Sequence, residues 1–139
     1  MNTKACLALL LVLALAGAAQ AVAFDWQRVE DTDVIEIVTH DEDGGVRETS
    51  IWIVTLGDHG YVRTNDSRWL ANIRRGSDVA LRLGEQEFAV SAREPNDAAL
   101  SARVEEQFKQ KYGFMQRVMS AFRMREPTVL ELTAVGGSR

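Results

Sequence analysis

Residues 51–83 read IWIVTLGDHGYVRTNDSRWLANIRRGSDVALRL, and their reading decides how the rest of the chain is arranged. Ile51 to Leu56 is an apolar, β-branched run, and Gly57-Asp58-His59-Gly60 is a turn whose glycines tolerate positive φ. Tyr61 to Thr64 resumes as a strand with Arg63 near its end. Asp66 or Ser67 then caps a short helix from Arg68 to Arg75, and Gly76 stops it at C′. Asp78 to Leu83 is a strand again. Between strand and helix lies a polar knot, Arg63-Thr64-Asn65-Asp66-Ser67-Arg68, with two guanidiniums and two hydroxyls beside outward N–H groups. Such a set suits an anion, most naturally a phosphate. A plainer reading stays open: the arginines neutralise acidic neighbours while Asp66 and Ser67 only cap the helix.

Working outward, Phe24 to Thr32 reads as a short turn or helix with Phe24 and Trp26 as lids on the core. Val34 to Thr39 is a Val- and Ile-rich strand, and Asp41-Glu42-Asp43-Gly44-Gly45 is a solvated acidic turn. That turn lacks the ligand ladder and closing Glu of a calcium loop. Val46 to Leu56 is the longest strand candidate, with Arg47, Thr49 and Ile51 on one face. Beyond the central unit, Gly84-Glu85 turns the chain into a strand from Gln86 to Arg93. Pro95-Asn96-Asp97 then caps a helix in which Leu100, Val104, Phe108 and Tyr112 form one apolar stripe. Gly113 breaks this helix, Phe114 to Arg123 is a second helical piece, and Pro127 stops that piece. Thr128 to Ala134 alternates as a last strand. Six strands joined mostly by short hairpins predict a mainly β, α+β fold, a small six-stranded antiparallel barrel with flanking helices.

The ends and the charge restrict function further. Residues 1–23 have one lysine, an apolar run from Ala5 to Ala19 and small-x-small cleavage sites, as in a secretory signal peptide. Residues 24–139 are then a single domain, exported to a bacterial periplasm or beyond, with no membrane span left after cleavage. The sole cysteine, Cys6, lies in the leader, so the mature chain has neither disulfide nor thiol nucleophile. Formal charge is −4, with ten acids between Asp25 and Asp58 and five arginines between Arg63 and Arg82. A local basic surplus on an acidic chain suits a small anionic ligand and not nucleic acid. His40 and His59 stand at separate turns without metal-ligand spacing, so no metal site is expected. No nucleophile elbow, Walker loop or dinucleotide fingerprint occurs. Any reactivity must therefore come from a cofactor.

The order strand, turn, strand ending in Thr64-Asn65, then Ser67-Arg68, helix and strand resembles the pyridoxamine-phosphate-oxidase-like, FMN-binding split barrels. Arg47-Glu48-Thr49-Ser50-Ile51-Trp52 is similar to the R-x-T/S-x-apolar strand of that superfamily. Lys111-Tyr112-Gly113 and the ending from Pro127 to Leu132 resemble a small bacterial branch of it. The resemblance spans Val34 to Ala134. It implies a split barrel, a homodimer, and FMN held with its phosphate gripped by arginine and hydroxyl side chains. A deazaflavin or a haem-type ligand is possible within the same fold. Carried over, Arg47, Thr64, Ser67 and Arg68 are phosphate contacts, with Thr49 on the face of Arg47. Trp69 stands where the superfamily has lysine, and the knot is one residue shorter than the superfamily pattern. Arg63 is added from its charge and position alone. The leader has no twin-arginine pair, so the chain would cross the membrane unfolded and acquire any cofactor outside the cytoplasm.

Overall fold

The computed structural model describes residues 24–121 and 127–136, the side chains of 114–121 excepted. The expected leader, the apolar residues of the second helical piece and most of the C-terminal tail lie outside these. The elements run α1 (Trp26–Glu30), β1 (Ile35–His40), β2 (Val46–Ile51), β3 (Ile53–Leu56), β4 (His59–Thr64) and α2 (Arg68–Arg74). They continue through β5 (Val79–Leu83), β6 (Gln86–Arg93), α3 (Ala98–Ala121) and β7 (Thr128–Ala134). The seven strands form one antiparallel sheet in the order β2-β1-β5-β6-β7-β4-β3, curled into a half-barrel.

Seven strands replace the expected six because the run from Val46 to Leu56 divides at Trp52. Its first half pairs with β1 and its second half with β4, so the two edges of the sheet meet at one residue. A backbone that turns this corner must find hydrogen-bond partners outside the ladder. α3 supplies them. The Tyr112 hydroxyl accepts from the Ile53 N–H at 3.0 Å and donates to the Asp33 carbonyl at 2.8 Å. Lys111 Nζ donates to the carbonyls of Ile53, Thr32 and Val29 at 2.8, 2.8 and 3.1 Å. The Trp52 ring stacks on Tyr112, 4.5 Å between centroids and 6° from parallel.

Strand alternation sorts the side chains into two apolar layers. Ile53 and Val62, opposite one another, face the inside of the curl. Trp26 and Val29 of α1 and Trp69 and Leu70 of α2 pack against that same core. Val54 and Tyr61, the next pair along, face outward and are covered by Val104 and Phe108 of α3. The predicted stripe on α3 therefore does what its spacing implied, and Gly113 interrupts the helical geometry with φ 49° and ψ −116°. Two glycines have different duties. Gly57 takes φ 61° in the two-residue β3–β4 hairpin turn. Gly60, read from sequence as part of that turn, lies instead inside β4. There a Cβ would run into the Trp26 ring.

Candidate functional site

α2 forms because Ser67, in extended backbone, caps it and accepts from the Leu70 N–H at 3.3 Å. Thr64 braces that cap, its hydroxyl lying 3.0 Å from Ser67 Oγ. The buried side of α2 carries Trp69, Leu70 and Asn72. Asn72 is the polar member of an otherwise apolar face, and it meets the end of β1. Its amide donates to Thr39 Oγ1 at 3.1 Å and to Asp41 Oδ1 at 2.8 Å, while its oxygen accepts from Arg75 Nη2 at 3.0 Å. From β2, Arg47 closes on the same carboxylate with both arms of its fork, Nε at 2.7 Å and Nη2 at 2.6 Å. These bonds, Arg47 first and then Asn72, hold the Asp41 carboxyl well below the usual carboxylate range and raise the Arg47 guanidinium.

Above this network opens a cleft of about 370 Å³, lined by Asp41, Glu42, Asp43, Arg68, Ala71, Asn72 and Arg75. Arg68, at the first turn of α2, lines it with no hydrogen bond or ion pair from its guanidinium to another described residue. Arg75 is tied to the His40 carbonyl at 3.0 Å and lies 3.7 Å from Glu42. A second, larger groove of about 730 Å³ lies by the outer face of β1, β5 and β6. Its charged lining is Asp78 and Glu87, with His40 and no Lys or Arg, which is the wrong sign for an anion.

The expected site residues divide between two places. Arg68 lines the cleft, and Arg47, which is not among the lining residues, stands behind it on Asp41. Thr49, half-buried opposite Ile37, shares the face of Arg47 without lining the cleft. Thr64 and Ser67 stand behind Arg68 as its cap. Trp69 lies in the inner core, 5% exposed, and is not among the lining residues. Arg63 is elsewhere: it shares the outward face of Tyr61, pairs with Glu105 and sits over the Phe108 ring at 3.9 Å, under α3. Asp41, Asn72 and Arg75 escaped the sequence reading. Asp41 looked like one of three solvated turn acids, although it faces Arg47 across a short hairpin. Among the described residues no group of three His, Cys, Asp or Glu side chains is gathered to hold a metal ion, and no helix is long and apolar enough to cross a membrane.

A family model described as "Uncharacterized protein conserved in bacteria (DUF2255)" matches residues 25–132, which run from the cap of α1 into β7. The chain belongs to DUF2255. No curated protein matches its sequence. The DUF2255 chain is similar in structure to the haem storage protein HutZ from Vibrio cholerae, with TM-score 0.62 and 15% identity over 81% of this chain and 89% of that one. A candidate pyridoxamine 5′-phosphate oxidase from Listeria innocua gives TM-score 0.60 and 13% identity over 81% and 95%. An F420-H2-dependent reductase gives 0.56 and 13% over 72% and 93%. At these identities the likeness concerns the fold, and that fold is the pyridoxamine-phosphate-oxidase-like split barrel.

The lining of the cleft sets three carboxylates, Asp41, Glu42 and Asp43, against two guanidiniums, Arg68 and Arg75, with the Asn72 amide held by Asp41. No aromatic side chain lines it.

Proposed function

We propose that this DUF2255 protein is an exported split barrel that binds a phosphorylated flavin-like cofactor, FMN foremost, and serves hydride or electron transfer to a small substrate. One observation carries the reading: the Arg68 guanidinium, with no hydrogen bond or ion pair to another described residue, lines an open cleft beside Asn72 and Arg75. The role of Thr64 and Ser67 is to fix the first turn of α2 and thereby Arg68, while Thr49 stands behind Arg47. The flavin supplies the redox chemistry when bound, and the chain binds and orients it. The homodimer that the family resemblance implies would supply the rest of the cofactor's seat. A deazaflavin phosphate or the propionates of a haem-type ligand would address the same donors, and competition against FMN ranks them. Export rests on residues 1–23 as a leader removed near Val22 to Phe24.

The test is titration of the purified mature chain with FMN, followed by flavin fluorescence. Arg68→Ala is expected to weaken affinity at least tenfold, about 1.4 kcal/mol. Unchanged affinity removes Arg68 from the site. Failure of the wild type to bind FMN favours a non-catalytic ligand- or protein-binding module on the same fold, a reading that the larger, non-basic groove supports.

A further inference from the structure

We propose that the larger groove, by the outer face of β1, β5 and β6, binds a linear aliphatic amine carrying two or more ammonium groups. The proposal stands apart from the flavin reading of the cleft. Antiparallel register lays this face of the sheet out in rows. Val38 stands opposite Ala80, and Ala80 opposite Ala89, so small apolar side chains make the floor of the groove. In the next row Glu36 stands opposite Arg82, and Arg82 opposite Glu87. Beyond the other side of the floor lie His40, Asp78 and Ser91, with Val135 exposed at the edge. No Phe, Tyr or Trp lines the groove, so a planar ring finds nothing to stack on, while a thin methylene chain can lie along the alanines. Its volume, about 730 Å³, is that of a small-ligand site.

The charges select the ligand. Asp78 and Glu87 line the groove, and no Lys or Arg does. The Asp78 carboxylate has no hydrogen bond or ion pair with another described residue; the neighbouring Ser77 hydroxyl donates to its main-chain carbonyl instead. At the Glu87 end, Arg82 serves Glu48, Glu87 and Glu36 at 2.6, 3.1 and 3.2 Å, one guanidinium for three carboxylates, so that end stays negative. The arginines that follow Ile73 in α2 are engaged elsewhere: Arg74 with Glu94, and Arg75 with Asn72 and the His40 carbonyl. Val79 pairs with Val90 and Arg82 with Glu87, which sets Asp78 and Glu87 four register steps apart, about 13 Å along the strands. Two negative ends joined by an apolar floor match ammoniums joined by an aliphatic stem. A single point cation would reach only one of them.

The experiment is calorimetric titration of the purified protein with spermidine, against butylamine as a probe of one charge at the same ionic strength. Spermidine is expected to bind one to one and at least tenfold more tightly than butylamine. Asp78→Asn and Glu87→Gln, both at exposed positions, should each weaken spermidine at least tenfold. Ala89→Leu keeps every charge and fills the floor, and should weaken it as much. Spermidine binding no tighter than butylamine would show that surface charge alone draws it, and overturns the proposal. Undiminished binding by Asp78→Asn or Ala89→Leu does the same, as does a wild type that takes up no spermidine. Should Ala89→Leu fail to fold, the amide resonances of Ala80, Ala89 and Ser91 in the wild type decide. They must move on saturation with spermidine, and unmoved resonances overturn the site. Loss of FMN binding by the wild type sinks the flavin reading and leaves this result standing.

Discussion

Arg47 and Arg63 are both strand arginines beside an apolar run, yet they meet opposite fates. Arg47 lies on the inward-facing side of β2, where the sheet ends and α2 begins, and its fork is held by a carboxylate at the wall of an open cleft. Arg63 lies on the outward face of β4, where α3 covers it, with its side chain 3% exposed against Glu105 and Phe108. One guanidinium is placed where a ligand can reach its neighbours, and the other is sealed between sheet and helix. Charge in a sequence shows what a residue can bind. Strand parity and the element laid over it decide what it does bind.

The largest effect that sharpens this contrast is on stability. Arg63→Ala leaves Glu105 and a stacked aromatic layer without their cation, and is expected to lower unfolding free energy by about 2–3 kcal/mol. That is below the figure for a fully buried pair, because Glu105 keeps contact with solvent. Arg68→Ala, on the open side, should change stability by no more than about 0.5 kcal/mol while weakening FMN binding. Urea denaturation of both variants measures the difference, and equal losses would break the comparison.

A smaller effect appears at alkaline pH. The chain has two tyrosines, Tyr61 on the α3-covered face and Tyr112 on α3 itself, packed against the same cluster. Burial, first among the causes, raises each phenol to about 12, against a free value of about 10. The folded state keeps protons that the unfolded state releases, so their contribution is complete below about pH 10 and is lost as pH rises through about 12. At pH 11 a folded chain should therefore show only a minor phenolate fraction, about a tenth, and the rest should appear together with unfolding. Mostly ionised tyrosines in a still-folded protein would show that α3 does not seal this layer.

Much of the fold is legible because it is local. The cap at Ser67, the hairpin turns at Gly57 and Gly84 and the Leu100-Val104-Phe108-Tyr112 stripe each follow from residues a few positions apart. The corner at Trp52 is not local. Nothing between Val46 and Leu56 marks a break, and the bend depends on Lys111 and Tyr112, some sixty positions later, satisfying the freed backbone. The site was half legible for the same reason. The Thr64-Ser67-Arg68 unit is contiguous, and Arg47 came from resemblance. Asp41, Asn72 and Arg75 join them only when the β1–β2 hairpin is folded against α2. The placing of Arg63 with Arg68 ignored a signal that was present: neighbours on a strand face opposite ways, so Arg63 and Thr64 do not serve one pocket.

The central claim is that an anionic ligand tail sits between α2 and the β1–β2 turn. Amide and side-chain NMR spectra of the chain from residue 24 onward, recorded while FMN is added, test it most directly. The Asn72 side-chain amide, Arg47 Nε and Arg68 Nε are expected to move in step with the flavin, while Arg63 Nε stays fixed. Shifts confined to Ala80, Ala89 and Ser91 in the larger groove, or to the neighbourhood of Arg63, would contradict it.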